Sequence, residues 1–419
     1  MSEGFKAFEI WVTKFKLAVK MYVCIGLAFI ALQMLITVGF TVHWYGDMWA
    51  NAFKYACFFV PKHVWPDTMS EFFSMLGSRS MVIFGYSSAI WFLYPVSIIM
   101  LNKRAKRQQA ECYISGAKLI TAERLNKAIR KEGEKADLQI GEVNIPKSAE
   151  PKHALIIGRP GVGKTVCLSQ VLARLKARGE RGIVYDFKGD YLSKFYDPEK
   201  DIIFNPLDAR GIGWNLFNEI KTQMDVEAIA HSLVPESYQQ DPFWNKAARD
   251  VFSGMLHYLW QNNQKSNPAI WDAITSSGND ITGWLKETPG GESGHVFVQD
   301  ASSKQAMSVY AVLMQYASCF KYMPSTDSNF SIIEWLQNGK GWIYVVNYAD
   351  VQDTLKPILS LFIDLLGRKL LSMKDDYKRR VFFLIDEFGT LQRLSTIKNL
   401  LTLSRSKGGS VWLGCLGSA

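Results

Sequence analysis

Apolar and polar positions divide the chain into two unlike parts. Residues 21–42 and 81–101 are each a run of about twenty mostly apolar residues without charge, long enough to cross a bilayer as helices. Beyond residue 150 the apolar runs shorten to strand length. Residues 153–157, 182–186, 202–204, 341–347, 381–385 and 410–414 are nearly continuous apolar stretches, the pattern of parallel strands buried on both faces. Helical spacing fills the intervals at 166–175 and 355–371, and places Pro357 in a first turn, where its missing N–H costs nothing. Between the strand at 202–204 and the one at 341–347, helical patterns dominate at 226–233, 243–261, 269–276 and 304–322, with a flexible glycine-rich break at 290–294. Residues 117–131 read as a helix, 133–137 as a turn and 138–145 as an edge strand. The pattern predicts an α/β fold: a parallel sheet with an inserted all-α domain, preceded by two transmembrane helices. The expected divisions are an anchor at 1–107, a first α/β part at 108–213, the all-α insertion at 214–337 and a second α/β part at 338–419.

Charge orients the anchor. Lys14, Lys16 and Lys20 precede the first span, and Lys103, Arg104, Lys106 and Arg107 follow the second. The connecting loop 43–80 balances Lys54, Lys62 and Arg79 against Asp47, Asp67 and Glu71. The positive-inside rule places both termini in the cytoplasm and the loop in a bacterial periplasm, which makes this a two-pass inner-membrane protein. A cleaved signal peptide fits less well, because a second span follows and no small-residue cleavage site is clear. The loop's many aromatics, Trp44, Tyr45, Trp49 and Trp65 among them, suit the membrane–water boundary. The 419-residue chain is 48% hydrophobic and carries a formal charge of +9, a basic balance that suits anionic partners such as nucleic acid or lipid headgroups. Its six cysteines are widely spaced, without zinc-ligand spacing, and read as reduced thiols.

The chemistry begins at Gly158-Arg159-Pro160-Gly161-Val162-Gly163-Lys164-Thr165, which fits G-x-x-x-x-G-K-[ST] between a strand and a helix. Such a loop turns backbone N–H groups toward the phosphates of a nucleotide, here from Gly161 through Val166, since Pro160 has no donor. Lys164 would reach the outer phosphates and Thr165 would hold Mg²⁺. The apolar strand 381–385 ends in Asp386-Glu387, the form of a Walker B motif. Asp386 would share the metal with Thr165, and Glu387 would orient and deprotonate the attacking water. A positive group for the transition state is still needed, and Arg405 is the candidate, supplied to a neighbouring subunit. Asp186 and Lys188, at the end of the strand 182–186, lie where α/β folds place their ligand crevice; they either approach nucleotide or a neighbour, or form a solvated turn. Lys378-Arg379-Arg380 reads as a solvated face sooner than a DNA contact.

With these residues assembled, the chain resembles the type IV secretion coupling proteins, nearest the TraD and TrwB conjugation group. The resemblance runs through two spans, Gly158 to Thr165, Val184-Tyr185-Asp186, Asn205-Pro206-Leu207-Asp208-Ala209-Arg210, Trp214, Asp241-Pro242-Phe243-Trp244 and Leu384-Ile385-Asp386-Glu387. It implies a RecA-like P-loop NTPase domain with an all-α domain, assembled as a homo-hexamer around a channel. It also implies use of ATP and Mg²⁺ to recruit relaxase and relaxosome proteins and to drive single-stranded DNA toward membrane components of a secretion channel. Contact with double-stranded DNA is expected as well. The pattern departs at the end: Leu416 stands where the family usually has glutamine, and the sequence stops at Ala419, as a truncated product would, so efficient hydrolysis is less secure than ATP binding. A substrate receptor with little ATPase activity is one alternative. An FtsK-like chromosomal translocase is another, although such proteins have more spans and a long linker.

Overall fold

In a computed structural model, residues 120–236 and 241–417 are described throughout, together with 19–20, 22–35 and scattered positions from 81 to 103. The chain forms two compact units, Met1–Lys118 and Leu119–Ala419. In the first, residues 22–35 are helical, and Gln33 Nε2 donates to Ser88 Oγ at 3.0 Å. Among the described residues no helix is long and apolar enough to cross a membrane. Residues 21 and 36–42 of the first expected span, most of the second, and all of the loop 43–80 lie outside the described residues.

The second unit opens with α1 (Ala122–Lys131), then β1 (Leu138–Ile140) and β2 (Val143–Ile145). These two strands form their own antiparallel sheet, so the single edge strand expected at 138–145 is a hairpin instead. Gly141 supplies the cause: at φ 56° it turns the chain back on itself, as a glycine does readily. Next come β3 (Ala154–Gly158), α2 (Lys164–Ala177), β4 (Arg181–Asp186), α3 (Asp190–Phe195) and β5 (Ile202–Phe204). Between β5 and the next strand lie α4 (Gln223–Leu233), α5 (Pro242–Gln261), α6 (Asn267–Ile274), α7 (Gly278–Glu287), α8 (Glu292–Val298), α9 (Lys304–Ala317) and α10 (Ile332–Asn338). The chain then returns through β6 (Trp342–Val346), α11 (Gln352–Ser372), β7 (Val381–Ile385), α12 (Ile397–Leu403) and β8 (Gly409–Leu416).

The main sheet has the order β3-β8-β7-β4-β6-β5, with every pair parallel. Successive residues of a strand face opposite layers. Ile183, Tyr185, Phe383 and Ile385 pack with α11 and the helices before β6, whereas Val184, Phe382, Leu384 and Trp412 pack with Leu168, Val171, Leu172 and Leu175 of α2. The strands β4, β6 and β7 are therefore buried on both faces. The edge strand β3 is not: Leu155 and Ile157 are 59% and 62% exposed, against the expectation of a buried strand.

Other departures have local causes. Gly290 and Gly291 form a turn, but Glu292, Ser293 and Gly294 already start α8, where the sequence suggested a continuous break. α11 starts three residues earlier than its spacing suggested, so Pro357 lies inside the helix and removes a bond that an N–H there would make. The Asp-Pro-Phe-Trp element is a helix start. Asp241 accepts from Phe243 N at 3.0 Å, and Pro242 takes the first turn of α5. In Asn-Pro-Leu-Asp, Asn205 accepts from Leu207 N at 2.8 Å, while Asp208 pairs with Arg210 at 2.7 Å. Trp214 then packs edge-on against Phe204 and Phe362, which joins the exit of β5 to α11.

Candidate functional site

The phosphate-binding sequence forms the turn between β3 and α2. Gly161 and Gly163 take φ 80° and 95°, conformations that L side chains resist. At Gly158 an added Cβ would lie 2.5 Å from Val162 Cγ2, so a larger residue there would have to push the exposed Val162 side chain aside. Arg159, Pro160, Gly161, Val162 and Val166 are exposed, so the loop is open to ligand. Lys164 lies along the loop, its Nζ donating to the carbonyls of Gly158 at 3.2 Å and Arg159 at 3.4 Å. The amino end of α2 adds its positive pole to the same place.

The order of the sheet brings the second motif to this loop. β8 separates β3 from β7, so Asp386, just past β7, must reach across β8 to meet the start of α2. It does so: Thr165 Oγ1 donates to Asp386 Oδ2 at 2.8 Å, joining residues 221 apart in sequence. Gly414 of β8 makes the crossing possible, since a Cβ there would stand 2.7 Å from Asp386 Oδ1. Two further donors fix the carboxylate. Tyr191 Oη donates to Oδ2 at 2.9 Å, and Glu387 N donates to Oδ1 at 3.1 Å. Burial, with the Asp386 charge beside it, holds the Tyr191 phenol far above the ordinary tyrosine range, so it keeps its proton. No motif marks Gly414 or Tyr191; the only signal for Gly414 is the glycine that interrupts the apolar run Val411-Trp412-Leu413.

Glu387 adopts φ 54°, a strained conformation for a residue with a side chain. Its carbonyl accepts from Thr390 Oγ1 at 2.8 Å, and Thr390 also meets Tyr185 Oη at 2.9 Å. Lys188 Nζ, largely exposed, lies 4.0 Å from Oε1 of the partly buried Glu387. Lys188 therefore faces the second acid.

Asp186 is not the solvated turn that was one of its expected roles. It is buried, and its two oxygens accept from the backbone N–H groups of Gly189, Tyr191 and Leu192 at 2.9 Å and of Asp190 at 3.1 Å. Burial raises its pKa, and these donors oppose the rise. Its carboxylate thus satisfies the N–H groups of the first turn of the short helix α3, whose N-cap residue is Gly189, and its burial is not that of a solvated turn.

Arg405 sits beyond the amino-terminal end of β8, whereas Leu416, at the other end of that strand, pairs with Gly158. The length of β8, about 25 Å at strand rise, thus separates Arg405 from its own phosphate loop. Arg405 instead lines an open cavity of about 1000 Å³ with Lys147, Asp375, Tyr377, Arg380 and Lys407. Arg379 and Arg380 are half-buried and bond to nearby backbone: Arg379 Nη1 donates to Lys407 O, and Arg380 Nη1 to Tyr377 O and Arg379 O. Leu416, the position at which glutamine is usual, is 58% exposed and offers no polar side-chain atom.

Among the described residues no three or more His, Cys, Asp or Glu side chains gather as a metal cluster. One hydroxyl and one carboxylate beside a phosphate loop suit Mg²⁺, which takes few protein ligands and fills its shell with phosphate oxygens and water.

Residues 137–417 match a family described as the type IV secretion-system coupling protein DNA-binding domain. The coupling protein TraD of Escherichia coli (strain K12) is 29% identical over 322 residues, which cover 74% of this chain and 44% of TraD. A conjugal transfer protein TraG of Escherichia coli is 22% identical over 310 residues, 63% of this chain and 48% of TraG. The chain thus spans less than half the length of these curated relatives. Two solved structures of the plasmid coupling protein TrwB, one in complex with ADP and Mg²⁺ and one with a non-hydrolysable ATP analogue, are 30% identical with a TM-score of 0.65. They match 73% of this chain, and 72% and 73% of theirs.

Proposed function

Since the chain belongs to the type IV secretion-system coupling proteins, we propose that it is the ATPase that links a relaxase–DNA complex to a conjugative secretion channel in the bacterial inner membrane. It binds ATP with Mg²⁺ and uses hydrolysis to drive single-stranded DNA outward. One observation carries the reading: the hydrogen bond from Thr165 to Asp386, which assembles the two halves of a nucleotide site from opposite ends of the α/β sequence.

Roles follow from position. Gly161 to Val166 present N–H groups to the phosphates, and Lys164 neutralises the outer ones. Thr165 and Asp386 hold Mg²⁺, which when bound neutralises charge on the phosphate oxygens. Glu387, at the strained residue that follows Asp386, orients the attacking water and accepts its proton. Arg405 lies too far from its own loop to act there, which supports a role at the site of a neighbouring copy in a homo-hexamer. Val23, Leu27 and Leu35 are 56%, 60% and 70% exposed on the helix at 22–35, which supports a lipid-facing first span of a two-pass anchor with both termini cytoplasmic. The helical segment at 214–337 is the all-α domain that meets DNA and relaxosome proteins.

Glu387→Gln separates a motor from a receptor. We expect the variant to bind nucleotide and relaxase–DNA complex as before, yet to lose DNA transfer between cells. Undiminished transfer would show that the chain serves as a substrate receptor whose own hydrolysis is not needed.

A further inference from the structure

The geometry points to Tyr191 as a positioning residue for the metal-holding carboxylate Asp386, which it holds independently of the phosphate loop. The inference rests on the nucleotide site proposed above and adds a residue outside both of its motifs. Tyr191 is 2% exposed, and its ring lies in the core layer with Leu168, Val184 and Leu384. A tyrosine this deep needs a partner for its hydroxyl, and two acceptors are near: Asp386 Oδ2 at 2.9 Å and the Thr165 carbonyl at 3.4 Å. One proton serves one short bond, and the charged, nearer carboxylate takes it.

The backbone of Tyr191 is fixed from a separate direction. Asp186 Oδ2 accepts from Tyr191 N and Leu192 N, so the buried end of β4 anchors the first turn of α3. The result is a relay from β4 through Asp186 and Tyr191 to the end of β7. Asp386 Oδ2 receives two O–H donors, one from the loop side chain Thr165 and one from Tyr191. Thr165 is itself a metal-holding group, whereas Tyr191 has no other task at the site. Outer-shell bonds of this kind orient a carboxylate toward a metal, and their loss typically costs about 10–100-fold in metal affinity or activity.

Tyr191→Phe keeps the ring and deletes only the hydroxyl. The test titrates Mg²⁺ into the full chain with a fluorescent ADP analogue, alongside nucleotide affinity without Mg²⁺ and thermal unfolding. We expect the Mg²⁺ concentration at half-saturation to rise about tenfold, with Mg²⁺-free affinity unchanged and the melting temperature lowered only modestly by the lost bond. A purely structural tyrosine would lower the melting temperature and leave the Mg²⁺ midpoint in place; that result, or no change in either, overturns the inference. Should Tyr191→Phe not fold, Tyr191→Met is measured by the same criteria. If the unsubstituted chain binds nucleotide without any Mg²⁺ dependence, the nucleotide-site reading itself fails and the inference with it.

Discussion

Gly414→Ala inserts one methyl group between β8 and the carboxylate that β8 lets past. An added Cβ would lie 2.7 Å from Asp386 Oδ1, 3.4 Å from Asp386 Cα and 3.5 Å from Glu387 N. Ordinary contact begins near 3.4 Å, so the oxygen must retreat by about 0.7 Å. It has little freedom to do so: Oδ1 accepts from Glu387 N, and Oδ2 accepts from Thr165 and Tyr191. Overpacking of this kind costs about 1–3 kcal/mol in stability. The effect on function should be larger, because a displacement near 1 Å at a reacting site costs about 100-fold. We therefore expect Gly414→Ala to remain folded, with a modest fall in melting temperature. Mg²⁺-dependent nucleotide binding should weaken at least tenfold, and ATP turnover should fall further. Binding without Mg²⁺ should change little, since the loop Gly158 to Thr165 is untouched. Wild-type Mg²⁺ dependence in a correctly folded Gly414→Ala protein would refute the claim that Asp386 works from its observed position.

Two further substitutions test the frame around the site. Asp364 of α11 is buried and accepts from Ser232 Oγ at 2.5 Å, Ser395 Oγ at 2.6 Å, and Thr396 N and Oγ1 at 2.8 and 2.6 Å, which ties α4 and the loop after β7 to one carboxylate. Asp364→Ala should destabilise the chain by about 3–5 kcal/mol in urea unfolding; a loss below about 1 kcal/mol would show these bonds to be dispensable. Glu219 is also buried, accepting from Trp214 Nε1 and Ile332 N, and desolvation raises its pKa above the ordinary 4.5 despite those donors. The folded chain thus keeps this proton to higher pH than the unfolded chain, so this group's contribution to stability falls as pH rises from 4.5 through the raised value and is level above it. Glu219→Gln should remove that loss, leaving the protein as stable as wild type or up to about 1 kcal/mol more stable at pH 8, with no advantage below pH 4. A variant that is weaker at pH 8 than at pH 4, relative to wild type, contradicts this.

The strands were legible in the sequence because most are buried on both faces. The apolar runs of β4, β6 and β7 leave no other reading, and the longer helices between β5 and β6 were equally plain, whereas α7, α8 and α10, of seven to ten residues each, were not foreseen. β3 was harder, since its composition matches a buried strand although it forms the edge of the sheet. Composition responds to burial, and neighbour order is set by crossovers that periodicity does not record. The same limit applied at the site. Lys164, Thr165, Asp386 and Glu387 stand in contiguous motifs whose chemistry is local. Gly414 and Tyr191 matter only because β8 lies between β3 and β7 and because α3 turns back against α2. Asp186 shows the same limit: its position at a strand end left a ligand role and a solvated turn both open, and the backbone N–H groups of its own next turn occupy its oxygens instead.

The central claim is that Thr165, Asp386 and Glu387 form a working hydrolytic site coupled to DNA. The most direct measurement is the rate of ATP hydrolysis by the purified chain in detergent or lipid, with Mg²⁺, as single-stranded DNA is added. The account predicts turnover that depends on Mg²⁺, rises with DNA and disappears in Lys164→Ala and Glu387→Gln. Tight Mg²⁺–ATP binding with no hydrolysis at any DNA concentration would contradict it.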